Sequence, residues 1–216
     1  AVCTSATCAT STITEIATDN GSGTPSVAIG SDGNPLVAYR ASGVPKMVVC
    51  ANSSCTSSST TTLGPLSPLA GSQVAMTTSV ATEHPIVAYD GDEPLATFNL
   101  DVTACTNADC STGTQTESIG QHHVNINGGL AIATDSNGLP VITFINNSAL
   151  NLYECSASDC SSGTRYVIDE WDGSDGFTPC CEVALTLTSD DTRLVAYAGN
   201  VSGVGATLFL AVVGAP

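Results

Sequence analysis

Ten cysteines and one acidic cluster account for most of the side chains able to do chemistry here. Eight of the cysteines fall into four C-x4-C pairs: Cys3 with Cys8, Cys50 with Cys55, Cys105 with Cys110, and Cys155 with Cys160. None forms a C-x-x-C pair, and the even count points to disulfides and an oxidising compartment. Each pair precedes a Thr-rich alternating stretch, and the last three follow an apolar one, so each reads as the loop of a hairpin. Facing residues of an antiparallel hairpin have Cα atoms about 4.5 Å apart, within disulfide range. Four disulfides are therefore expected, each closing about six residues and contributing roughly 2 kcal/mol. Zinc would need two such pairs to converge. Cys180 and Cys181 are adjacent in FTPCCEVAL and stand outside this scheme. A vicinal disulfide there would act as a structural clamp or as an apolar platform under a ligand; the third option is that each cysteine has a different partner.

The segment DEWDGSDGF places Asp169, Glu170, Asp172 and Asp175 around the only tryptophan, Trp171. Asp169, Asp172 and Asp175 could hold Ca²⁺ through oxygen ligands, although the EF-hand spacing is absent. Trp171 with Asp172 and Asp175 has the character of a sugar-binding surface; the plainer expectation is an acidic loop with the indole packed inward. His84, His122 and His123 are the only histidines, and two adjacent histidines on a strand point apart, which suits no metal. Asn-x-Ser sequons occur at Asn20, Asn52, Asn146 and Asn200, open to glycosylation in an exported chain. No nucleophile–base grouping is visible, so a non-enzymatic protein without a cofactor is expected.

These residues are set in an internal repeat. One line reads PLVAY (35–39), PIVAY (85–89), PVITF (140–144) and RLVAY (193–197). Its aromatic ends, Tyr39, Tyr89, Phe144 and Tyr197, lie 50, 55 and 53 residues apart. A second line precedes it: SVAI (26–29), QVAM (73–76), GLAI (129–132) and EVAL (182–185). Polar turns with Asp-Gly and Asn-Gly pairs join the two lines, as tight hairpins require. A third apolar stretch follows, at 46–49, 95–100, 150–154 and 207–213. Four short strands in about 50 residues, without helical periodicity, describe a propeller blade. The small Ala28, Ala75, Ala131 and Ala184 are expected on the innermost strands.

The stretch SVAIGSDGNPLVAY (26–39) resembles the β-propeller repeats of secreted and cell-surface bacterial proteins. It departs from the sialidase-type repeat, because no tryptophan follows the adjacent Ser31, Asp32 and Gly33. The resemblance implies an all-β, four-bladed propeller in one domain, with blades near 18–63, 64–119, 120–169 and 170–216. Outer strands follow only three of the third stretches. The segment 1–17 holds a C-x4-C loop and a Thr- and Ile-rich strand, so it is expected to complete the fourth blade, of its own chain or of a neighbour.

With four basic residues against 20 acidic ones and a net charge of −16, the surface repels nucleic acid and anionic membranes. The C-terminal apolar stretch is too short for a spanning helix. A chain that begins at Ala1 suggests a removed secretory signal. The first functional expectation is an extracellular structural protein, self-associating through its edge strands as a filament or coat subunit. A carbohydrate-binding propeller is the second, and a polysaccharide hydrolase the third.

Overall fold

In the computed structural model, residues 2–3, 11–19, 21–64, 73–93, 97–116, 119, 126–146, 149–170 and 177–214 are described. A short hairpin, β1 (Val2–Cys3) with β2 (Ser11–Thr12), comes first. Sheet one holds β3 (Gly21–Ile29), β4 (Pro35–Ala41), β5 (Val44–Cys50) and β6 (Ser58–Thr62). Sheet two holds β7 (Val74–Thr78), β8 (Pro85–Glu93), β9 (Thr97–Cys105) and β10 (Gly113–Thr116). Sheet three holds β11 (Ile126–Thr134), β12 (Pro140–Asn146), β13 (Ala149–Cys155) and β14 (Gly163–Glu170). Sheet four has three strands, β15 (Phe177–Leu187), β16 (Arg193–Val201) and β17 (Gly205–Val213). Every pairing within these sheets is antiparallel between sequence neighbours, and no described residue is helical.

The short β-branched and aromatic runs suit strands that pack on both faces. Asp32 fixes the first hairpin turn by accepting from the Asn34 backbone amide at 2.9 Å and side-chain amide at 2.8 Å. Gly33 in that turn has φ +78°, a conformation that a side chain would strain. Asp135 does the same work in sheet three, accepting from the amides of Asn137 and Leu139.

The sheets stack face to face in chain order. The innermost strands β3, β7, β11 and β15 touch in succession, and Thr24 bridges Gln73 in parallel. The arrangement is propeller-like, and the four alanines of the repeat lie on these innermost strands. Three interfaces result: the forward faces of sheets one, two and three lie against the rear faces of sheets two, three and four. Leu36, Ala38 and Met47 of sheet one pack on Val74, Met76, Val87 and Tyr89 of sheet two. Ala75, Ile86, Ala88 and Val102 pack on Leu130, Ile132, Phe144 and Tyr153 of sheet three. Ile145 and Leu150 pack on Val183, Leu185, Val195, Tyr197 and Phe209 of sheet four.

Ion pairs tie this stack together. Arg40 reaches across from sheet one to Asp90 of sheet two at 3.1 Å, and both are buried. Arg193 of sheet four meets Glu154 of sheet three at 2.8 Å. No extensive contact joins sheet one to sheet four among the described residues.

The C-x4-C loops form one recurring device. Disulfides join Cys50 to Cys55, Cys105 to Cys110, and Cys155 to Cys160, with Cα atoms 4.8 to 4.9 Å apart. The second cysteine of each loop has positive φ, 52°, 53° and 56°, and its amide donates to the carbonyl three residues before. The β1–β2 register, Val2 with Thr12 and Cys3 with Ser11, repeats that of Val49 with Ser59 and Cys50 with Ser58. The Cys3–Cys8 pairing itself lies outside the described residues.

Candidate functional site

Sheet four carries an apolar forward face that no sheet covers among the described residues. Leu210 pairs with Ala196, as Met47 pairs with Ala38, Val102 with Ala88, and Leu152 with Thr143. At this one position of the repeat Met47, Val102 and Leu152 are 0% exposed, whereas Leu210 is 65% exposed. Leu208 is 78% exposed where Leu100 and Leu150 are 0%. Val212, Leu194, Ala196 and Ala184 extend the strip, and Glu182 is exposed on β15 beside it. Leu208, Leu210 and Val212 thus form an exposed apolar row on one face of β17, the edge strand of sheet four among the described residues. The opposite face of β17 is spent on the core, where Phe209 stacks on Tyr197 with ring centroids 5.3 Å apart.

Sheet one carries the complementary defect on its rear face. Val27 is 67% exposed and Ile29 58%, although their counterparts Val74, Met76, Leu130 and Ile132 are buried. A strap formed by residues 13–19 covers the rest of this face. Ile16 and Ala17 pack against Val37, Tyr39, Val48 and Cys50. The Thr14 hydroxyl donates to the Ser54 carbonyl at 3.1 Å, and the Thr61 hydroxyl donates to the Asp109 carbonyl at 3.0 Å. Ser54 and Asp109 each precede the second cysteine of a C-x4-C loop, so the strap sits on sheet one as β6 sits on sheet two. Ile16 follows Cys8 by eight residues, as Leu63 follows Cys55 and Ile168 follows Cys160. The strap therefore holds the outer-strand place of a sheet preceding sheet one, without the rest of that sheet.

Polar groups fasten its end. Asp19 accepts from Lys46 at 2.6 Å and from the Tyr39 hydroxyl at 3.1 Å. Lys46 is the main cause that holds the Asp19 carboxyl below its usual range. Burial first, and the Asp19 carboxylate second, push the Tyr39 phenol up to about 12. In sheet four Tyr197 donates to Asp169 at 2.7 Å in the same manner, and its phenol is likewise raised by burial and by that carboxylate. Cavities of about 520 and 400 Å³ flank the strap. The larger is polar, lined by Glu15, Asp19, Lys46, Ser58 and Thr60; the smaller is apolar, lined by Ile16, Pro25, Val37, Tyr39 and Val48.

A raised phenol pKa makes the neutral tyrosine the form that folding favours. The stability from Tyr39 is fully present below its unfolded value near 10 and is lost as the pH rises through about 12. Ultraviolet titration of phenolate is expected to find Tyr39 ionising late, and earlier in Asp19→Asn. An unchanged midpoint in that variant would mean that the strap does not lie on sheet one.

The expectation that residues 1–17 complete the fourth blade, of this chain or of a neighbour, is met only as far as the described part shows. Their described part lies against sheet one, and β17 is the edge of sheet four among the described residues. Apolar burial of Ile16 and Ala17 and the grip of Lys46 on Asp19 hold the segment there. The β1 strand adds a register conflict: Val2 and Cys3 already take the partners, Thr12 and Ser11, that Val212 and Val213 would need.

Other expected sites are scattered. The backbone of Cys180 and Cys181 falls within the register shift of β15, between Pro179 and Val183. The same shift interrupts β3 between Ser22 and Ser26. Trp171, Asp172, Asp175, Asn20, His122 and His123 lie outside the described residues, so the sugar site and most of the calcium site do too. Asp169, the remaining calcium candidate, is engaged by Tyr197. No group of three metal-binding side chains occurs among the described residues. Asn52 is built into its loop, accepting from the Ser54 and Thr56 amides at 3.2 Å. Asn146 accepts from the Ala149 amide at 2.9 Å, Asn200 is exposed on β16, and His84 lies in the β7–β8 turn.

No protein-family model and no curated protein matches the chain. Solved structures resemble it in fold, two among them as follows. A protein of unknown function from Dyadobacter fermentans superposes with a TM-score of 0.60 at 11% identity, over 86% of this chain and 51% of that one. The chain thus spans about half the length of that neighbour. An endo-arabinase from Bacteroides thetaiotaomicron superposes with a TM-score of 0.53 at 9% identity, over 89% of this chain and 75% of that one. At these identities the likeness concerns fold alone.

Proposed function

We propose that the protein is a non-enzymatic extracellular structural component that associates with copies of itself, as a filament or coat subunit. The observation that carries this reading is the apolar row Leu208, Leu210 and Val212, open at repeat positions that are sealed or half-buried elsewhere in the chain. Burying such a row contributes about 25 cal/mol per Å² of apolar surface, so exposure in an isolated chain is costly. Three disulfides in short loops are consistent with an extracellular location. Of the four basic side chains, Lys46, Arg40 and Arg193 pin strap to sheet or sheet to sheet, and Arg165 lies exposed on β14.

Light scattering across a concentration series tests the reading. The wild-type chain is expected to associate, and native material to show fibres or arrays by electron microscopy. Leu210→Lys is expected to fold normally, since the side chain is exposed, and to remain a monomer. A wild-type chain that stays monomeric at high concentration, with no ordered assemblies in native samples, would sink the proposal.

A further inference from the structure

We propose that the forward face of sheet four docks on the rear face of sheet one in a second copy of this chain, with β17 pairing alongside residues 13–16. This rests on the self-association reading and names the surface and register that would carry it.

Three internal interfaces bury a forward face on the rear face of the following sheet. Among the described sheets one forward face, on sheet four, and one rear face, on sheet one, meet no other sheet. These two are complementary by construction, since they continue an interface that the molecule already makes three times. Within one chain they are not in extensive contact. A contact between unlike faces is heterologous and generates a ring where its rotation closes and a filament where it does not.

The register follows from sheet one. There Lys46 pairs with Thr62, Met47 with Thr61, and Val48 with Thr60. Carried over by the repeat, Phe209 faces Glu15, Leu210 faces Thr14, and Ala211 faces Ile13. The Leu63 amide donates to the Pro45 carbonyl and the Ile119 amide to the Leu100 carbonyl, both at 2.9 Å. The equivalent bond runs from the Ile16 amide to the Leu208 carbonyl of the second copy. Ile13 is 84% exposed on the strap and gains a neighbour in this pairing. The apolar cavity of about 400 Å³ beside Ile16, Val37 and Val48 lies where the forward-face side chains of the incoming β17 would enter. The pairing stops at Ala211, because Val2 and Cys3 hold the next two places.

The test uses two single variants, Ile13→Cys and Ala211→Cys, of the full chain. Their counterparts Thr60 and Val48 face each other in adjacent strands. Facing positions of this kind lie within disulfide reach. Mixed under mild oxidation, the two variants are expected to form a linked dimer, mapped by mass spectrometry to residues 13 and 211. Neither variant alone is expected to form that link, and adding Leu210→Lys to the Ala211→Cys chain should abolish it. Association of the wild-type chain without this link would overturn the interface and leave self-association standing. A monomeric wild-type chain would overturn both. A chain carrying both Ile13→Cys and Ala211→Cys that becomes a monomer closed by its own 13–211 link would overturn the second copy in favour of closure within one chain.

Discussion

Arg40→Ala is expected to destabilise the protein by about 3–5 kcal/mol, the usual cost of leaving one member of a buried ion pair alone. Arg40 is 1% exposed and Asp90 0%. The guanidinium donates to the Asp90 carboxylate at 3.1 Å and carbonyl at 2.5 Å, and to the Gly43 carbonyl at 2.7 Å. It therefore pins sheet one to sheet two and closes the β4–β5 turn. Burial lifts the Asp90 carboxyl to about 6 even though Arg40 draws it down. The folded pKa then lies above the unfolded value near 3.9, so folding takes up a proton between the two. Stability linked to Asp90 consequently falls as the pH rises from about 4 through about 6. Loss of Arg40 removes the neighbour that lowers this pKa, so the window moves up. Denaturant titrations of wild type and Arg40→Ala at several pH values check both points. Replacing both residues by apolar ones of similar volume is expected to restore most of the loss. A single variant within 0.5 kcal/mol of wild type, the level typical of surface positions, would mean that the pair is not buried between sheets.

The ion pair also shows where reading the sequence stops. Arg40 and Asp90 occupy the same repeat position, directly after the aromatic, where Ile145 and Ala198 stand in the later repeats. Two opposite charges at one position of a buried line were a legible signal of contact between sheets. The strand order within each sheet was equally legible, because its period is short and its turns carry Asp, Asn and Gly. The position of residues 11–19 was harder to read. Their sequence matches an outer strand, and outer strands touch two sheets: the one they pair with and the one they pack on. Composition cannot say on which sheet they pack and with which they pair; the structure shows the packing contact, with Tyr39 and Val48. The exposure of Leu208 and Leu210 had a signal of its own. TLFLAVV is apolar on both faces, as a strand between two sheets should be, and only one of its faces is covered.

Gly129→Ala is expected to separate sheets three and four at a cost of about 3 kcal/mol, the upper end of ordinary overpacking. A Cβ at this position would lie 2.3 Å from the Val183 nitrogen and 2.7 Å from the Glu182 carbonyl carbon. Those are backbone atoms of the neighbouring innermost strand, so no side-chain rotation relieves the clash. The strand β11 must move away from β15, and with it go the packing of Ile145 and Leu150 on Val195 and the Arg193–Glu154 pair. The same repeat position holds Ser26 in sheet one, where the hydroxyl accepts from the Met76 amide at 3.0 Å. A side chain is tolerated there because the first two innermost strands stand far enough apart to bond through it. Gly214→Ala, where nothing lies within 4 Å of the added carbon, is the control and is expected to be neutral. Denaturant unfolding measures the difference, and a loss below 0.5 kcal/mol at Gly129 would mean that β11 and β15 do not approach so closely. Sheet four also carries the open forward face, so a loosened sheet four predicts weaker association in the Gly129 variant at a concentration where it is still folded. Weakened folding with unchanged association would show that the associating surface lies elsewhere.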